Sequence, residues 1–206
     1  MAAKAGSSRA RTSHHERGRR ERTLRIIGGS WRGRRFRFPP LDIRPTPDRV
    51  RETLFNWLQH RVAGAHCLDL YAGSGALGLE ALSRGASSVV FVEQQRLAAN
   101  TLQQLLSDWG AAGASVICGE AQAYLAGGRT QAATAARGFD LVFLDPPYGS
   151  FELAAVAARL AQGYLAADAR IYVEWGRNDA APALPATWRE LRAGSAGEVG
   201  YHLYTP

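Results

Sequence analysis

The chain has 206 residues, 46% of them hydrophobic, which suffices for one domain with a substantial core. No apolar run approaches the roughly 18 residues that span a bilayer. The arginine-rich N-terminus lacks the apolar segment of a secretory signal, so we expect a cytoplasmic protein with no membrane partner. The two cysteines, Cys67 and Cys118, show no metal-site spacing, and we expect buried, reduced thiols and no metal.

The formal net charge of +7 is concentrated at the N-terminus. Residues 1–37 contain twelve of the 25 Lys and Arg residues and two acidic residues, a balance of +10, so the other 169 residues carry −3. A basic appendage on an acidic body is typical of a nucleic-acid-binding arm. A solubilising tail or a transit-like peptide is the alternative, chiefly for residues 1–22.

The first predicted element is a small hairpin. Residues 1–22 have no hydrophobic periodicity and predict a disordered basic tail. From Leu24 onward, a Gly28–Gly29 pair separates two short runs, and residues 34–38 partly alternate arginine with phenylalanine. This pattern predicts a β-hairpin with one basic face, which Pro39 and Pro40 end.

A helix is predicted next. Thr46 is a suitable N-cap, Pro47 fits the first turn, and Asp48 would lie near the positive end of the helix dipole. Apolar residues at helical spacing extend this helix to about Val62.

Strands and helices then alternate, which predicts a parallel sheet with helices on both faces. An Ala/Gly-rich connector is predicted at 126–138. Two final runs, Trp188–Arg192 and Val199–Tyr204, predict an antiparallel hairpin at the edge of the sheet, joined by residues 193–198. The predicted strands are 66–71, 88–93, 114–118, 139–145 and 170–175, and the predicted helices are 76–84, 95–108 and 151–163.

A glycine-rich segment, LDLYAGSGALG, follows the first strand of this sheet and opens a helix. Its Gly73, Gly75 and Gly78 have the spacing G-x-G-x-x-G, and Glu93 follows twenty residues after Gly73. Glycines let a ligand approach the backbone, and the helix N-terminus offers unpaired N–H groups. Alone, this pattern favours a nicotinamide dinucleotide site as much as any other.

The segment Asp145–Tyr148, Asp-Pro-Pro-Tyr, ends an apolar run that predicts a buried strand. Prolines lack the N–H that a central strand needs, so the strand ends at or near Asp145. Ligands of open α/β sheets bind at the carboxyl ends of strands. The Asp145 carboxylate and the Pro146 carbonyl are acceptors beside the Tyr148 ring, which predicts a site for a planar group with an exocyclic amine, such as a nucleobase.

Asp69 separates the two cofactor classes. A carboxylate at the end of the first strand would repel a pyrophosphate, but it would attract the ammonium group of S-adenosylmethionine, which also carries a sulfonium. A hydride-transfer enzyme has no evident use for Asp-Pro-Pro-Tyr, while Glu93 suits a ribose in either case. Together these features favour S-adenosylmethionine.

On these residues the chain resembles class I S-adenosylmethionine-dependent methyltransferases that methylate amines. More narrowly, it resembles the RsmD family of bacterial small-subunit (16S) ribosomal RNA guanine-N2 methyltransferases. The resemblance runs from about Leu24 to Tyr204 and is carried by residues 44–56, the Asp69–Gly78 loop and Asp145–Tyr148. The first segment is the most specific to the family; the connector at 126–138 and the long tail depart from it.

The resemblance implies a fold, a division of the chain and a set of partners. The fold would be Rossmann-like, with a mostly parallel seven-stranded sheet, helices on both faces and an antiparallel C-terminal hairpin. Residues 1–22 would be the tail, 23–62 an RNA-binding hairpin and helix, and 63–206 the catalytic domain. The partner would be ribosomal RNA, free or within an assembled small subunit, and we expect a monomer.

The resemblance also implies roles for individual residues. In the catalytic loop, Asp145 and the Pro146 carbonyl would accept hydrogen bonds from the guanine amine, and Tyr148 would stack on the extruded base. The residues implied to hold S-adenosylmethionine are Asp69, Gly73 and Gly75 at its methionine part, Glu93 at the ribose, and Glu120 and Ala121 at the adenine. Those assigned to RNA are Arg25, Arg32, Arg34, Arg35, Arg37, Arg44, Arg49 and Arg51.

Four other functions remain open at this level. A DNA adenine-N6 methyltransferase is the nearest, because Asp-Pro-Pro-Tyr also occurs there, although this chain has little room for a target-recognition region. A protein glutamine methyltransferase is less favoured, because the resemblance to that class would need Asn at position 145, where this chain has Asp. An NAD(P)-dependent oxidoreductase and a catalytically inert RNA-binding module are more remote.

Overall fold

An antiparallel hairpin precedes a seven-stranded sheet in this computed structural model, which describes residues 22–39, 46–127, 137–147 and 152–206. The hairpin consists of β1 (Arg22–Arg25) and β2 (Arg35–Phe38). Phe36 and Phe38 are buried while Arg35 and Arg37 are exposed, because successive side chains of a strand point to opposite faces. The predicted hairpin with one basic face is therefore confirmed. The predicted tail, residues 1–22, lies outside the described residues except for Arg22, which begins β1, so its predicted boundary was wrong at that residue.

The rest of the chain alternates helices and strands and ends in a second hairpin, as the sequence predicts. These elements are α1 (Asp48–Trp57), β3 (His66–Asp69), α2 (Ala76–Ser83), β4 (Ser88–Glu93), α3 (Arg96–Asp108), β5 (Ala114–Cys118), α4 (Ala121–Ala126), β6 (Phe139–Leu144), α5 (Leu153–Leu160), β7 (Leu165–Gly176), β8 (Arg189–Ala196) and β9 (Val199–Thr205).

The large sheet has the strand order β5-β4-β3-β6-β7-β9-β8. Neighbouring strands from β5 to β7 are parallel, whereas β9 runs antiparallel to both β7 and β8. One face packs against α1, α2, α3 and the N-terminal hairpin, and the other face packs against α4 and α5. The predicted Rossmann-like architecture with an antiparallel hairpin at its edge is thus confirmed.

Three local predictions were wrong or incomplete. Helix α1 ends at Trp57, and the chain continues to Val62 in turns that still bury Leu58 and Val62. Helix α4 was missed, because six residues are too few for a helical period to be recognised. The C-terminal hairpin turns at Gly197, whose φ is 61°, since small residues that carry no strand signal extend β8 to Ala196.

The two cysteines differ in their exposure. Cys67 lies on β3 in the middle of the sheet and is fully buried, and this burial raises the pKa of its thiol. Cys118 is exposed, contrary to prediction, because β5 is the edge strand of the sheet. Within the described ranges, no helix has the length and apolar character needed to cross a membrane.

The N-terminal hairpin and α1 share one core with the main sheet. Trp31 and Phe36 pack edge-on against Trp109, at 5.1 and 6.0 Å between ring centroids. The chain between the two hairpin strands also crosses the end of α2, where a Cβ on Gly29 would lie 1.9 Å from the Ser83 carbonyl oxygen. The boundary proposed at residue 62 is therefore a functional division that stays a prediction, since packing is continuous across it.

Candidate active site

Four neighbouring strands each place a carboxylate at or just after their carboxyl end. The strand order β4-β3-β6-β7 brings these acids side by side along one edge of the sheet. Such an edge is where open α/β sheets bind ligands. The four residues, in spatial order, are Glu93, Asp69, Asp145 and Glu174.

Glu93 organises the glycine loop. Its Oε2 accepts a hydrogen bond from the Gly73 N–H at 2.7 Å, and its Oε1 accepts one from the Gln95 N–H at 2.6 Å. Gly73 and Gly75 have φ values of 52° and 78°, which favour glycine. The loop therefore turns sharply between β3 and α2, and its role in holding the cofactor stays a prediction.

Asp69 is buried at the end of β3 and is held by the loop that it faces. Its Oδ2 accepts a hydrogen bond from the Gly78 N–H at 3.1 Å, and the Tyr71 N–H is a second donor. Gly78 lies in the first turn of α2, whose N–H groups have no partners within the helix. Burial raises the pKa of Asp69 to about 7, and the negative charges of Asp145 and Glu93 add to this effect.

Gly78, the third glycine of the motif, contributes close packing. A Cβ at this position would lie 2.1 Å from the Phe91 ring on β4. Helix α2 can therefore approach the sheet closely only because residue 78 has no side chain, and this approach brings its N–H to Asp69.

Asp145 follows β6 directly, and Pro146 and Pro147 leave the sheet, so the predicted end of the strand is confirmed. The Thr46 hydroxyl donates a hydrogen bond to Asp145 Oδ2 at 3.2 Å. Burial raises the pKa of Asp145 to about 6, against a lowering by this hydrogen bond. Tyr148, the predicted stacking residue, lies outside the described residues.

The prediction that Thr46 caps α1 was wrong. Pro47 occupies the N-cap position, and its carbonyl accepts hydrogen bonds from the N–H groups of Val50 and Arg51. The Thr46 side chain instead contacts Asp145, which is 99 residues away in the chain. The segment before α1 thus contributes directly to the site.

Glu174 on β7 is a functional candidate that the sequence did not reveal. It is buried, and its Oε1 accepts a hydrogen bond from the Tyr172 hydroxyl at 2.6 Å. Burial, followed by the charge of Asp145, raises the pKa of Glu174 to about 8. Its one signal in the sequence was an acid within the otherwise apolar run 171–175.

Glu120 and Ala121 lie at the start of α4, next to the carboxyl end of β5. Glu120 is exposed at the N-cap position, and Ala121 is buried as the first residue of the helix. They occupy the position beyond Glu93 in the row of strand ends, which suits the adenine contact that remains predicted for them.

The predicted RNA-binding arginines are mostly exposed. Arg25 donates to Asp48 Oδ2 at 2.9 Å but remains 61% exposed, and the Arg34 guanidinium lies 5.4 Å from the centroid of the Trp109 ring. Arg44 lies outside the described residues. The exposed members of the set are Arg25, Arg32, Arg34, Arg35, Arg37 and Arg49.

The assignment of Arg51 to RNA binding was wrong, because its side chain is 0% exposed. Its Nη2 donates to the Arg25 carbonyl at 3.0 Å and to Asp48 Oδ1 at 2.6 Å, and Nη1 lies 3.7 Å from Glu80 Oε2. Arg51 therefore fastens α1 to the hairpin and to α2.

The row of acids is suited to a ligand with positive charge. Across the described residues, no group of three or more His, Cys, Asp or Glu side chains is arranged to hold a metal ion. A buried carboxylate such as Asp69 is stabilised in its ionised form by a cation, which an ammonium or a sulfonium group supplies. The glycine backbone and Glu93 add donors and acceptors for a ribose, so the residues present fit S-adenosylmethionine.

Comparison with known proteins finds relatives that match most of the chain. The family model described as Conserved hypothetical protein 95 matches residues 24–205. Ribosomal RNA small subunit methyltransferase D of Escherichia coli (strain K12) is 43% identical over 183 residues, covering 88% of this chain and 89% of that protein. The protein of the same name from Haemophilus influenzae is 41% identical over 188 residues, covering 88% of this chain and 93% of that protein.

A solved structure is also similar to this chain in its fold. The structure of yhhF from Escherichia coli matches this chain with a TM-score of 0.77 and 40% sequence identity. The match covers 89% of this chain and 97% of that structure.

Proposed function

This chain belongs to the family described as Conserved hypothetical protein 95, the RsmD family, and we propose that it transfers a methyl group from S-adenosylmethionine to a guanine N2 amine in small-subunit ribosomal RNA. The observation that carries the proposal is the placement of Asp145 beside Asp69. Strands β3 and β6 are adjacent, with Asp69 paired to Phe143, so the two loops that follow them meet. A methyl donor and an amine acceptor can therefore face each other.

The cofactor binds along the glycine loop. Asp69 attracts the ammonium group, the backbone at Gly73 and Gly75 lies against the methionine part, and Glu93 accepts from the ribose hydroxyls. Glu120 and Ala121 border the adenine. When bound, S-adenosylmethionine supplies an electrophilic methyl group, whose bond to sulfur breaks as the bond to nitrogen forms.

The acceptor loop positions the amine. The guanine N2 lone pair is delocalised into the ring, so the nitrogen is a weak nucleophile. The Asp145 carboxylate and the Pro146 carbonyl accept its two N–H hydrogens, which favours a more tetrahedral nitrogen aimed at the methyl group. The proton lost after transfer goes to the Asp145 carboxylate and from there to water. Positioning supplies most of the rate enhancement in such a displacement.

RNA is bound by the exposed arginines of the hairpin and by Arg49 at the start of α1. Sequence-specific RNA recognition mostly targets unpaired, unstacked bases, which can be extruded into a pocket at low cost. Tyr148 follows the two prolines and is the residue proposed to stack on the extruded base.

The test is methyl transfer by the Asp145→Ala variant. Labelled S-adenosylmethionine is incubated with deproteinised small-subunit ribosomal RNA or with small subunits that lack the modification, and the product is mapped. We expect Asp145→Ala to reduce transfer by at least about a hundredfold while cofactor binding stays measurable by calorimetry. Near-wild-type turnover by the variant would exclude this role for Asp145.

The same assay separates the alternative functions. Methylation of adenine in duplex DNA, or binding of a nicotinamide dinucleotide without binding of S-adenosylmethionine, would contradict the proposal. A preference for RNA or for assembled subunits identifies the form of the substrate.

A further inference from the structure

A second carboxylic acid lies behind Asp145. Leu144 on β6 pairs with Val173 on β7, so Asp145 and Glu174 occupy the next position along two adjacent parallel strands. Glu174 is 5% exposed, and Tyr172, two residues earlier on the same face of β7, is fully buried. Glu174 is therefore largely shielded from solvent, and its neighbours strongly influence its protonation.

Thr46 stands between the two acids. Its hydroxyl donates to Asp145 Oδ2 at 3.2 Å and is also a hydrogen-bond partner of the Glu174 carboxyl group, a contact that lowers the pKa of Glu174 when Thr46 is the donor. A threonine hydroxyl has one hydrogen to donate and two lone pairs that accept. When that hydrogen is directed to Asp145, the contact with Glu174 is a hydrogen bond only if Glu174 carries a proton and donates it to Thr46.

The contact between Tyr172 and Glu174 is also consistent with a protonated Glu174. The Tyr172 hydroxyl donates to Glu174 Oε1 at 2.6 Å, which leaves the second carboxyl oxygen to hold the proton. The four groups then form a chain with one direction, from Tyr172 to Glu174, from Glu174 to Thr46, and from Thr46 to Asp145. Every buried hydroxyl and carboxyl group in the chain has a partner.

We infer that Glu174 is a positioning residue for methyl transfer, which as a neutral acid donates to Thr46 and thereby holds Asp145 as the ionised acceptor for the substrate amine. The inference rests on the proposed function and adds to it a group that does not touch the substrate. The chain occupies Oδ2 of Asp145, so Oδ1 is directed to the amine. Loss of the proton from Glu174 would leave one negative charge on each side of the Thr46 hydroxyl.

The electrostatics of the site agree with this division of roles. Burial raises the pKa of Asp145 to about 6. Burial and the charge of Asp145 raise the pKa of Glu174 to about 8, against a lowering by its hydrogen bonds with Tyr172 and Thr46, so Asp145 ionises at the lower pH. Among the described residues, the ionisable groups around Glu174 are Asp145 on β6, Tyr172 on β7 and Tyr201, its register partner on β9, with Asp69 beyond Asp145.

The test compares pH profiles of single-turnover methyl transfer at saturating cofactor and RNA. Wild-type activity is expected to fall above about pH 8, approaching tenfold per pH unit, as Glu174 ionises. In Glu174→Gln the amide oxygen still accepts from Tyr172 and the NH2 group still donates to Thr46. This variant should retain activity within about threefold at pH 7 and lose the fall at high pH.

Glu190→Gln is the matched control. Glu190 also accepts from a tyrosine hydroxyl, that of Tyr204 at 3.1 Å, but it lies exposed on β8, away from the site. Its profile should follow the wild type, including the fall above pH 8. An unchanged fall in Glu174→Gln, or loss of activity at every pH by a folded Glu174→Gln protein, would overturn the inference.

Variants of Thr46 test the proposed hydrogen-bond chain without altering Glu174. Thr46→Ser keeps the hydroxyl and should retain activity, whereas Thr46→Val removes it and should lower the rate about tenfold or more with little change in cofactor affinity. Equal activity of the serine and valine variants would contradict the chain. Absence of ribosomal RNA methylation by the wild type would instead refute the proposed function, so the two failures are distinguishable.

Discussion

At the scale of a single residue, Asp69 combines a structural role with a proposed binding role. Its carboxylate accepts the Gly78 N–H at the start of α2 and so stabilises the turn that forms the cofactor loop. The same carboxylate is buried beside two other acids, which opposes its ionisation. A cation bound in front of it relieves that cost, so ligand binding and ionisation of Asp69 are coupled.

Cofactor affinity should therefore depend on pH. The pKa of Asp69 is raised to about 7, which means that the group is neutral below that pH and ionised above it. We expect the affinity for S-adenosylmethionine, measured by calorimetry, to increase severalfold between pH 6 and pH 8. Asp69→Asn keeps the acceptor for Gly78 but has no charge, so it should bind more weakly and with a flatter pH dependence. A wild-type affinity that is constant over this range would contradict the coupling.

At the scale of elements, Glu80 on α2 joins three parts of the fold. Its two carboxylate oxygens accept the N–H groups of Ile27 and Gly28 from the hairpin at 2.8 Å each, and Oε1 also accepts Arg84 Nε at 2.7 Å. Arg51 of α1 lies 3.7 Å away, and both side chains are 0% exposed. The proposed RNA-binding hairpin is thus attached to the helix that follows the cofactor loop through one buried carboxylate.

Replacing Glu80 by Gln should loosen this attachment. The amide NH2 cannot accept a backbone N–H, and the buried Arg51 loses part of its compensation, so we expect a loss of roughly 2–4 kcal/mol in the free energy of unfolding. Amide hydrogen exchange at Ile27 and Gly28 should accelerate more than exchange in β3. The control is Glu190→Gln, which removes an exposed carboxylate and should change stability by less than about 1 kcal/mol. Unchanged protection at Ile27 and Gly28 in Glu80→Gln would contradict this role.

At the scale of the whole molecule, charge is separated between the N-terminal arm and the body. Residues 1–37 carry +10 and the remaining residues −3. The body's acids include the row at the proposed cofactor site, which repels phosphates and attracts a cation. RNA is therefore expected to be held chiefly by the arm, while its target base alone enters the acidic site.

Salt dependence tests this separation. Reversing Arg32, Arg34 and Arg35 to Glu should reduce RNA affinity about tenfold or more at low salt and should lower the slope of log affinity against log salt. The control reverses the charge of three exposed arginines of the body, Arg159, Arg177 and Arg192, which gives the same net charge. Equal losses in the two variants would show that net charge, rather than the hairpin, determines binding.

Much of the architecture follows from local patterns in the chain. Each apolar run or helical period depends only on the residues of its own segment, so it can be recognised in the sequence. The alternation of these segments along the chain then predicts the parallel sheet. The glycine loop and the Asp145–Pro147 elbow are likewise local, since glycine spacing and the missing proline N–H act within a few residues. These features determined the class of fold and two of the loops that form the site.

The tertiary structure alone decided which distant residues complete the site. From its residue type and position, Thr46 is expected to cap a helix, and Arg51 is expected to be an exposed cation. In the structure, Thr46 instead hydrogen-bonds to Asp145, and Arg51 is buried against Glu80. Glu174 becomes a neighbour of Asp145 only through the pairing of β6 with β7. Strand order and register depend on how the whole core packs, and no local pattern encodes them. The proposed hydrogen-bond chain behind Asp145 could therefore be recognised only from the tertiary structure.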